Sequence, residues 1–270
     1  MSPGPTWVAG GVETMGGLAI EPGKTLEKIV AFIRERMQTA GRSRLVVGLS
    51  GGLDSATSAY LAVRALGREA LTAFLLPYKT TNPSSIEDAL LVAGGLGIEH
   101  ETIDITPMVD AYFDRFPHAD RKRRGNFMAR TRMAVLYDQS AARDALVLGT
   151  GNRTEALLGY TTLWGDMACA FTPIGGLYKI QVRQLAAHLG VPSRVIEKPP
   201  SADLWQGQTD EGEMGVTYED ADRILHAIFD LGKDDGALAA EGFDLPLVER
   251  VRRMVDASAF KRRMPPSCPP

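Results

Sequence analysis

The sequence predicts a doubly wound α/β fold, in which a parallel five-stranded sheet carries helices on both faces and a helical appendage follows towards the C-terminus. The first observation is a set of short aliphatic runs, uninterrupted as in strands that are buried on both faces. The second is that helical stretches separate these runs, an alternation that implies right-handed crossovers and a parallel sheet. The runs are RLVVGL from Arg44, ALTAFLL from Ala70 and ALVLG from Ala145, with a weaker one, EHETIDI, from Glu99.

The helices are predicted from the spacing of apolar residues and from residues that favour helix ends. The first begins at Thr25, carries apolar side chains along one stripe and ends at Gly41. The third begins at Ser84, which forms a capping box with Glu87. After the first helix, the predicted helices are 56–66, 84–96, 126–143, 218–231, 233–240 and 245–255.

The composition is that of a globular protein with one large core. The chain of 270 residues is 44% hydrophobic and 23% charged, which excludes the disordered and fibrous classes. Its formal net charge of -3 gives no global indication of nucleic-acid or membrane-surface binding. We interpret residues 1–23 as a flexible leader, 24–265 as a single domain and 266–270 as a tail.

Cysteine usage and hydropathy favour a cytoplasmic protein. The two cysteines, Cys169 and Cys268, are too far apart for a C-x-x-C pair, so neither a zinc site nor a disulfide framework is indicated. The first twenty residues contain no Lys or Arg and no sustained apolar block, so they lack both parts of a signal peptide. No apolar run approaches the ~20 residues that a membrane-spanning helix needs.

A turn of small residues, SGGLDS at 50–55, joins the first predicted strand to the following helix. Such a turn leaves backbone N–H groups free, and the helix N-terminus adds its dipole, so the turn is suited to binding an anion. It lacks the lysine of a Walker A loop. Asp54 would repel a phosphate unless a cation stood between them, which favours Mg²⁺ bridging the carboxylate and the phosphates of a nucleotide.

SGGLDS resembles the pyrophosphate loop of the N-type ATP pyrophosphatases, which adenylate a substrate. Three later segments resemble those of the ammonia-dependent NAD synthetases: LGTGNRTEALLGYTTLWGD (148–166), TPIGGLYKIQVRQLA (172–186) and KPPSADLWQGQTDE (198–211). The resemblance covers residues 25–265 and implies an adenine nucleotide alpha hydrolase-like fold. It implies an enzyme that amidates deamido-NAD with ammonia, giving NAD, AMP and pyrophosphate, with ATP as co-substrate and Mg²⁺ as cofactor. It also implies a homodimer with the dinucleotide at the subunit interface.

The same resemblance assigns roles to individual residues. Asp54 and Glu155 match the two magnesium ligands, and Asp54 and Lys179 are the expected catalytic residues. The deamido-NAD contacts are expected at Arg130, Asp166, Phe260 and Lys261. The ATP contacts are expected at Gly48, Leu49, Ser50, Gly51, Gly52, Leu53, Asp54, Ser55, Thr150, Lys179 and Ser201, the last standing where the family usually has a threonine.

Without the resemblance, several of these residues have ordinary structural interpretations. Lys179 alone is typical of a helix surface, and Glu155 is typical of a first-turn acid favoured by the helix dipole. Arg130 and Arg132, in MARTRM, are typical of salt bridges along a helix face. The functional interpretation of these residues therefore depends on the resemblance, and their positions in the structure bear on which interpretation is correct.

The sequence departs from the family pattern on the substrate side. Leu163, Ala170 and Phe260 stand where relatives often have lysine, aspartate and histidine, so adenylation chemistry is better supported than the identity of the acid that is amidated. Two alternatives stay open: an N-type ATP pyrophosphatase that amidates or thiolates another substrate, and a non-catalytic nucleotide-binding regulator. We expect ammonia as the immediate nitrogen source, because Cys169 has no glutaminase-type motif around it, and we expect 201–215 and 79–85 to act as lids.

Overall fold

The aliphatic runs form one parallel sheet in the computed structural model, which describes residues 17–205 and 207–268. The strands are β1 (Arg44–Gly48), β2 (Leu71–Leu75), β3 (Glu99–Thr102) and β4 (Ala145–Val147), in the order β3-β2-β1-β4. Within the described ranges the sheet has four strands, so the predicted count of five is not confirmed. A single parallel bridge between Leu148 and Phe171 extends the sheet beyond β4. Pro173 follows two residues after Phe171 and has no N–H with which to continue a ladder.

The predicted helices are present, and shorter ones lie between them. Their bounds are α1 (Pro22–Ala40), α2 (Leu53–Leu66), α3 (Pro83–Leu96), α4 (Thr106–Phe113), α5 (Arg121–Ala142), α6 (Arg153–Leu158), α7 (Lys179–Leu189), α8 (Ser193–Ile196), α9 (Asp210–Met214), α10 (Tyr218–Phe229), α11 (Asp235–Ala240) and α12 (Leu245–Ala257). Single 3₁₀ turns span Arg68–Ala70 and Ala259–Arg262.

Two local expectations were wrong. The cap of α3 is Asn82, whose side chain accepts a hydrogen bond from the Ser84 N–H, rather than a box between Ser84 and Glu87. Pro83 at the first helical position explains the shift, because proline is favoured there. The run at Glu99 was expected to be buried on both faces, yet every residue of β3 is exposed, because it is the edge strand of the sheet.

Three apolar clusters hold the layers together. Side chains of α1, α2 and α7 cover one face of the sheet, with Ile33, Leu61 and Leu185 fully buried. Side chains of α4 and α5 cover the other face around Phe74. The third cluster joins α6, α10 and α12 around Tyr218 and forms the predicted helical appendage.

The segment before α1 is partly packed against the domain. Residues 17–23 were expected to belong to the flexible leader, but Leu18 is 1% exposed and α1 already begins at Pro22. The Ile20 N–H donates to Gln184 Oε1 at 3.1 Å, and Gln184 Nε2 donates to the Leu18 carbonyl at 3.1 Å. The rest of the predicted leader, residues 1–16, lies outside the described residues.

Within the described part of the chain, no helix combines the length and the apolar character needed to cross a membrane.

The order in which strands are added to the sheet reverses between β1 and β4. From β1 the chain proceeds outwards to β2 and β3, and it then returns to place β4 on the other side of β1. In open α/β sheets, ligands bind beyond the carboxyl ends of the strands at such a switch. The loops after β1 and β4 carry SGGLDS and GNRTE, so the fold brings these two motifs to the same crevice.

Candidate active site

A cleft of about 1220 Å³ opens at the carboxyl edge of the sheet. Its walls come from the loops after β1 and β4, the end of β2, one face of α5, the segment 198–210 and the 3₁₀ turn near the C-terminus. Of the predicted ATP contacts, all except Gly51 line it, as do the predicted deamido-NAD contacts and Glu155. The residues selected from the sequence are therefore brought together by the fold.

The SGGLDS turn is stabilised by hydrogen bonds between its own serines. Ser50 and Ser55 lie with their hydroxyl oxygens 3.0 Å apart, and the Ser50 N–H donates to Ser55 Oγ at 3.2 Å. Gly51 has a φ of 75°, and a β-carbon there would lie 2.1 Å from the Ser85 carbonyl oxygen. Only glycine fits this position. Gly51 thus contributes by letting α3 approach the turn rather than by lining the cleft.

Asp54, Glu155 and Lys179 form one cluster in the cleft. The Lys179 ammonium donates to Asp54 Oδ2 and lies 3.5 Å from Glu155 Oε1. Asn152 Nδ2 donates to Asp54 Oδ1 at 3.2 Å. Lys179 is 4% exposed, which corrects its interpretation as a helix-surface lysine. The cluster joins the start of α2, the start of α6 and the start of α7.

Burial and charge shift the acid–base properties of this cluster. Burial, and then the neighbouring Asp54 carboxylate, raise the pKa of Glu155 above its ordinary value, and the Lys179 ammonium opposes this shift. Burial alone would lower the pKa of Lys179, but the carboxylates of Asp54 and Glu155 outweigh it, so the pKa of Lys179 is raised and its charge is retained. Two acids held beside one buried ammonium form a charge cluster that a further cation would stabilise.

The donor set of the cluster fits a magnesium ion that also binds phosphate. No group of three or more metal-binding side chains occurs in the parts of the chain that the structure describes. Mg²⁺ requires oxygen ligands and commonly takes one or two protein carboxylates together with substrate phosphates and waters. Asp54 and Glu155 supply two such carboxylates beside the anion-binding turn, so these residues could hold the ion.

A capping box fixes the position of Glu155. The Glu155 N–H donates to the Asn152 side chain at 3.0 Å, and the Asn152 N–H donates to Glu155 Oε2 at 3.3 Å. The interpretation of Glu155 as a first-turn acid is therefore correct locally, and Asn152 also reaches Asp54. The spacing N-x-x-E in GNRTE is a recognised capping signal, so Asn152 could have been selected from the sequence.

Asp210 is a further acid of the cleft that sequence reasoning missed. It is 5% exposed, and it accepts hydrogen bonds from the Tyr160 and Tyr218 hydroxyls at 3.1 Å each and from the Ala202 N–H at 3.0 Å. The Tyr218 hydroxyl also lies 3.5 Å from Glu155 Oε1. These contacts tie the segment after Pro200 to the carboxylate cluster. Only the segment as a whole, and none of its acids, was selected from the sequence.

The predicted deamido-NAD contacts also have structural partners. Arg130 is exposed, and its guanidinium donates to the Leu163 carbonyl through Nε at 3.2 Å and Nη2 at 3.1 Å. Asp166 accepts from the Thr162 N–H at 2.7 Å. Lys261 donates to the carbonyls of Gly159 at 2.8 Å and Thr161 at 2.7 Å, just past the end of α6. Phe260 is 61% exposed at the cleft.

Arg262, which the sequence did not single out, continues this contact with α6. Its Nη1 donates to the carbonyls of Ala156 at 3.1 Å and Leu157 at 2.8 Å. Cations at the carbonyl end of a helix satisfy its free acceptors and its dipole. The turn after α12 therefore holds the helix that carries Glu155.

The two predicted lids meet above the cleft. The Asn82 N–H, at the start of α3, donates to Asp203 Oδ2 at 3.0 Å. The side chain of Leu204 packs on Gly125 of α5, where an added β-carbon would lie 2.9 Å from Leu204 Cδ1. Among the described residues of 201–215, those at 210–214 form α9, so this predicted lid is partly helical.

Asp222 lies behind the site and predicts a measurable pH dependence. Its side chain is fully buried and accepts hydrogen bonds from Thr154 Oγ1 at 2.5 Å and from the Ile180 N–H at 2.8 Å. Burial raises the pKa of Asp222 to about 6, although these two hydrogen bonds act in the opposite direction. Its pKa in the unfolded chain is about 3.9. Because the folded state binds the proton more tightly, wild-type stability falls as pH rises through this interval.

We therefore expect Asp222→Asn to remove this part of the pH dependence. Relative to wild type, the free energy of unfolding of the variant should rise by about 2–3 kcal/mol between pH 4 and pH 7. Urea unfolding across this range measures it, with the exposed Glu219→Gln on the same helix as control. Parallel pH profiles for wild type and Asp222→Asn would contradict the assignment.

Residues 25–265 match the NAD synthase family. The chain belongs to this family. Its relatives include the NH₃-dependent NAD⁺ synthetase of Trichlorobacter lovleyi, 52% identical over 88% of this chain and 87% of the relative. The enzyme of that name from Fusobacterium nucleatum is 49% identical over 88% of this chain and 92% of the relative.

Solved structures in the NAD synthase family have the same fold. The NMN synthetase of Francisella tularensis superposes with a TM-score of 0.81 at 36% identity, covering 93% of this chain and 99% of that one. The NH₃-dependent NAD synthetase of Campylobacter jejuni superposes with a TM-score of 0.79 at 36% identity, covering 93% of this chain and 100% of that one. The resemblance drawn from the sequence motifs is thus confirmed.

Proposed function

We propose that this NAD synthase family member amidates deamido-NAD with ammonia at the expense of ATP, giving NAD, AMP and pyrophosphate. The observation that carries the proposal is the Asp54, Glu155 and Lys179 cluster, which faces the SGGLDS turn inside a single large cleft. A turn suited to phosphate, paired carboxylates and a buried cation are the parts that adenylation requires. A nucleotide-binding regulator would have no need of this cluster.

In the first step, a carboxylate oxygen of the acid attacks the α-phosphorus of ATP, and the bond to pyrophosphate breaks. The N–H groups of the turn and the N-terminus of α2 bind the phosphate oxygens, and Lys179 stabilises the charge that develops on the departing pyrophosphate. Asp54 and Glu155 would hold Mg²⁺. When bound, the ion supplies charge neutralisation and Lewis-acid stabilisation at the same phosphates.

In the second step, ammonia attacks the acyl carbon of the adenylate, the bond to AMP breaks, and the nitrogen releases a proton. The mixed anhydride must be kept from water. We assign this shielding to the segments around Asn82 and Asp203, whose hydrogen bond closes the cleft on one side. Ser201, Ala202 and Asp203 then cover the nucleotide, and release of AMP requires the segment to open.

A second candidate substrate is the mononucleotide, nicotinic acid mononucleotide, in place of deamido-NAD. The Francisella tularensis structure with the same fold is described as an NMN synthetase. Leu163, Ala170 and Phe260 depart from the pattern expected on the substrate side, and of these Leu163 and Phe260 line the cleft. The reaction at the carboxylate and at ATP is the same for both acids.

One experiment tests both candidates. The protein is incubated with ATP, Mg²⁺ and ammonium and with either deamido-NAD or nicotinic acid mononucleotide, while amide product, AMP and pyrophosphate are measured. We expect AMP and amide in equal amounts, with a higher kcat/KM for deamido-NAD. Formation of ADP, or AMP formation that needs neither acid, would reject the proposal. A preference for the mononucleotide would replace deamido-NAD as the substrate.

Arg130→Ala tests the proposed substrate side of the cleft. We expect the KM for deamido-NAD to rise about 10- to 100-fold with kcat changed little, because a hydrogen bond to a charged group contributes about 1.5–3 kcal/mol. Steady-state kinetics with saturating ATP measure both constants. Arg121→Ala is the control, since Arg121 is exposed at the start of the same helix. Unchanged kinetics in Arg130→Ala would remove Arg130 from the site.

We further propose a cytoplasmic homodimer with the dinucleotide at the subunit interface. The proposal rests on the family to which the chain belongs and on the exposure of Phe260 at the mouth of the cleft, where a second subunit could cover it. Light scattering coupled to size exclusion gives the mass in solution. A monomer that retains full activity would reject the shared site.

A further inference from the structure

Arg132 is a cation of the cleft to which the reaction just described gives no role. It lies on α5, is half-buried and lines the cleft. Its Nε donates to the carbonyl oxygen of Leu76 at 3.0 Å. Among residues 17–205 and 207–268, no carboxylate lies within 4.0 Å of its guanidinium. The salt-bridge interpretation made from the sequence is therefore wrong for this residue.

The strand register shows where this guanidinium lies. β1 and β2 are parallel with Gly48 opposite Phe74, and the Leu49 N–H donates to the Phe74 carbonyl at 2.9 Å. Ser50 and Leu76 each lie two residues further along, just past the ends of β1 and β2. The carbonyl that anchors Arg132 is therefore at the same edge of the sheet as the start of the SGGLDS turn.

The neighbouring Arg130 is held differently. Two residues apart on a helix point about 200° from one another. Arg130 donates twice to the Leu163 carbonyl on the outer side of the cleft, whereas Arg132 donates to a strand end beneath it. The bond through Nε orients the guanidinium plane of Arg132, and within the described residues its terminal nitrogens make no hydrogen bond, although the side chain lines the cleft. A planar fork of N–H donors fixed in this way matches the oxygens of a phosphate.

The surroundings of Arg132 favour an anionic ligand. Burial lowers its pKa from the ordinary value, and only the carboxylate of Asp203, on the opposing segment, counteracts this. A partly buried cation without an ion-pair partner loses hydration that it does not recover until an anion approaches it. The cluster across the turn holds two acids and one lysine, so it leaves no spare positive charge for a nucleotide before a metal binds.

We propose that the Arg132 guanidinium binds a phosphate oxygen of the adenine nucleotide, with the Leu76 carbonyl as its positioning partner. The assignment deepens the proposed function and rests on it for the nucleotide being a substrate. The other anion that could reach this place is the carboxylate of the acid that is amidated. If Arg132 binds a nucleotide phosphate, its replacement weakens the binding of ATP. If it binds the carboxylate of the acid, its replacement weakens the binding of deamido-NAD.

Calorimetric binding to the full chain tests the proposal without turnover. The ligands are Mg·ATP, AMP, adenosine and deamido-NAD, and the proteins are wild type, Arg132→Gln, Arg132→Lys and the exposed control Arg121→Gln. In Arg132→Gln we expect ATP affinity to fall about 10- to 100-fold while adenosine affinity is unchanged. A parallel loss for AMP places the contact at the α-phosphate, and a loss for ATP alone places it at the outer phosphates. Arg132→Lys should recover part of the loss because it keeps the charge.

Three results would overturn the proposal. They are wild-type ATP affinity in Arg132→Gln, an equal loss for adenosine and ATP, and a loss confined to deamido-NAD. Thermal unfolding of each variant checks the fold. If Arg132→Gln does not fold, the ligand affinities of Arg132→Lys are compared with those of wild type instead. If wild type binds ATP as expected but forms no amide, the proposed function fails while the assignment of Arg132 stands.

Discussion

Replacing Lys179 by methionine is expected to lower kcat by about 10²- to 10³-fold. That is the typical cost of removing one preorganised group that stabilises charge in the transition state. The ammonium donates to Asp54 and lies beside Glu155, so its loss also leaves two largely buried carboxylates without their counter-ion. Breaking such a buried cluster costs about 3–5 kcal/mol of stability.

The effect is measured as AMP release at saturating ATP and deamido-NAD, together with urea unfolding. Lys233→Met provides the control, because Lys233 pairs with Glu241 away from the cleft at 2.5 Å and surface pairs contribute about 0–1 kcal/mol. We expect that variant to keep wild-type activity. A folded Lys179→Met with kcat within threefold of wild type would exclude Lys179 from the chemistry.

Gly51→Ala is expected to destabilise the protein by about 2–5 kcal/mol and to abolish ATP binding. A left-handed backbone costs a residue with a β-carbon about 1–2 kcal/mol, and overpacking adds about 1–3 kcal/mol. The new methyl group would meet the backbone carbonyl of Ser85 at 2.1 Å and the Ala89 nitrogen at 3.0 Å. Because these are backbone atoms of α3, a side-chain rotation cannot relieve the contact.

Gly52→Ala is the matched control for the stability measurement. Gly52 has a φ of -94°, and an added β-carbon would lie 3.4 Å from Ser50 Oγ, which is ordinary contact. We expect its free energy of unfolding to stay within about 1 kcal/mol of wild type. Equal destabilisation of the two variants would show that the approach of α3 to Gly51 is not what requires glycine.

The sequence predicted those parts of the fold and site that depend on local patterns. The alternation of strands and helices follows from hydrophobic periodicity, and the anion-binding character of SGGLDS follows from residues adjacent in the chain. Asp54 could be selected in the same way, because its charge is anomalous beside a phosphate. These features need no knowledge of what packs against them.

The features that escaped prediction depend on contacts between distant segments. Lys179 could not be distinguished from a surface lysine by its neighbours in sequence, because its partners Asp54 and Glu155 lie 125 and 24 residues away. The exposure of β3 depends on its place at the sheet edge. Asp210 is held by Tyr160, 50 residues away, and Arg132 by the Leu76 carbonyl, 56 residues away, and neither contact has a local signal.

The hydrogen bonds from Lys261 and Arg262 to the end of α6 and the loop after it bear on the order in which the site forms during synthesis. The SGGLDS turn can form once the first strands and α2 have been made, but the helix that presents Glu155 is held by residues more than 100 positions later in the chain. A ribosome-bound chain that stops before residue 261 has the phosphate turn without this support for its second carboxylate. The support for Glu155 therefore forms only after residues 261 and 262 have been made.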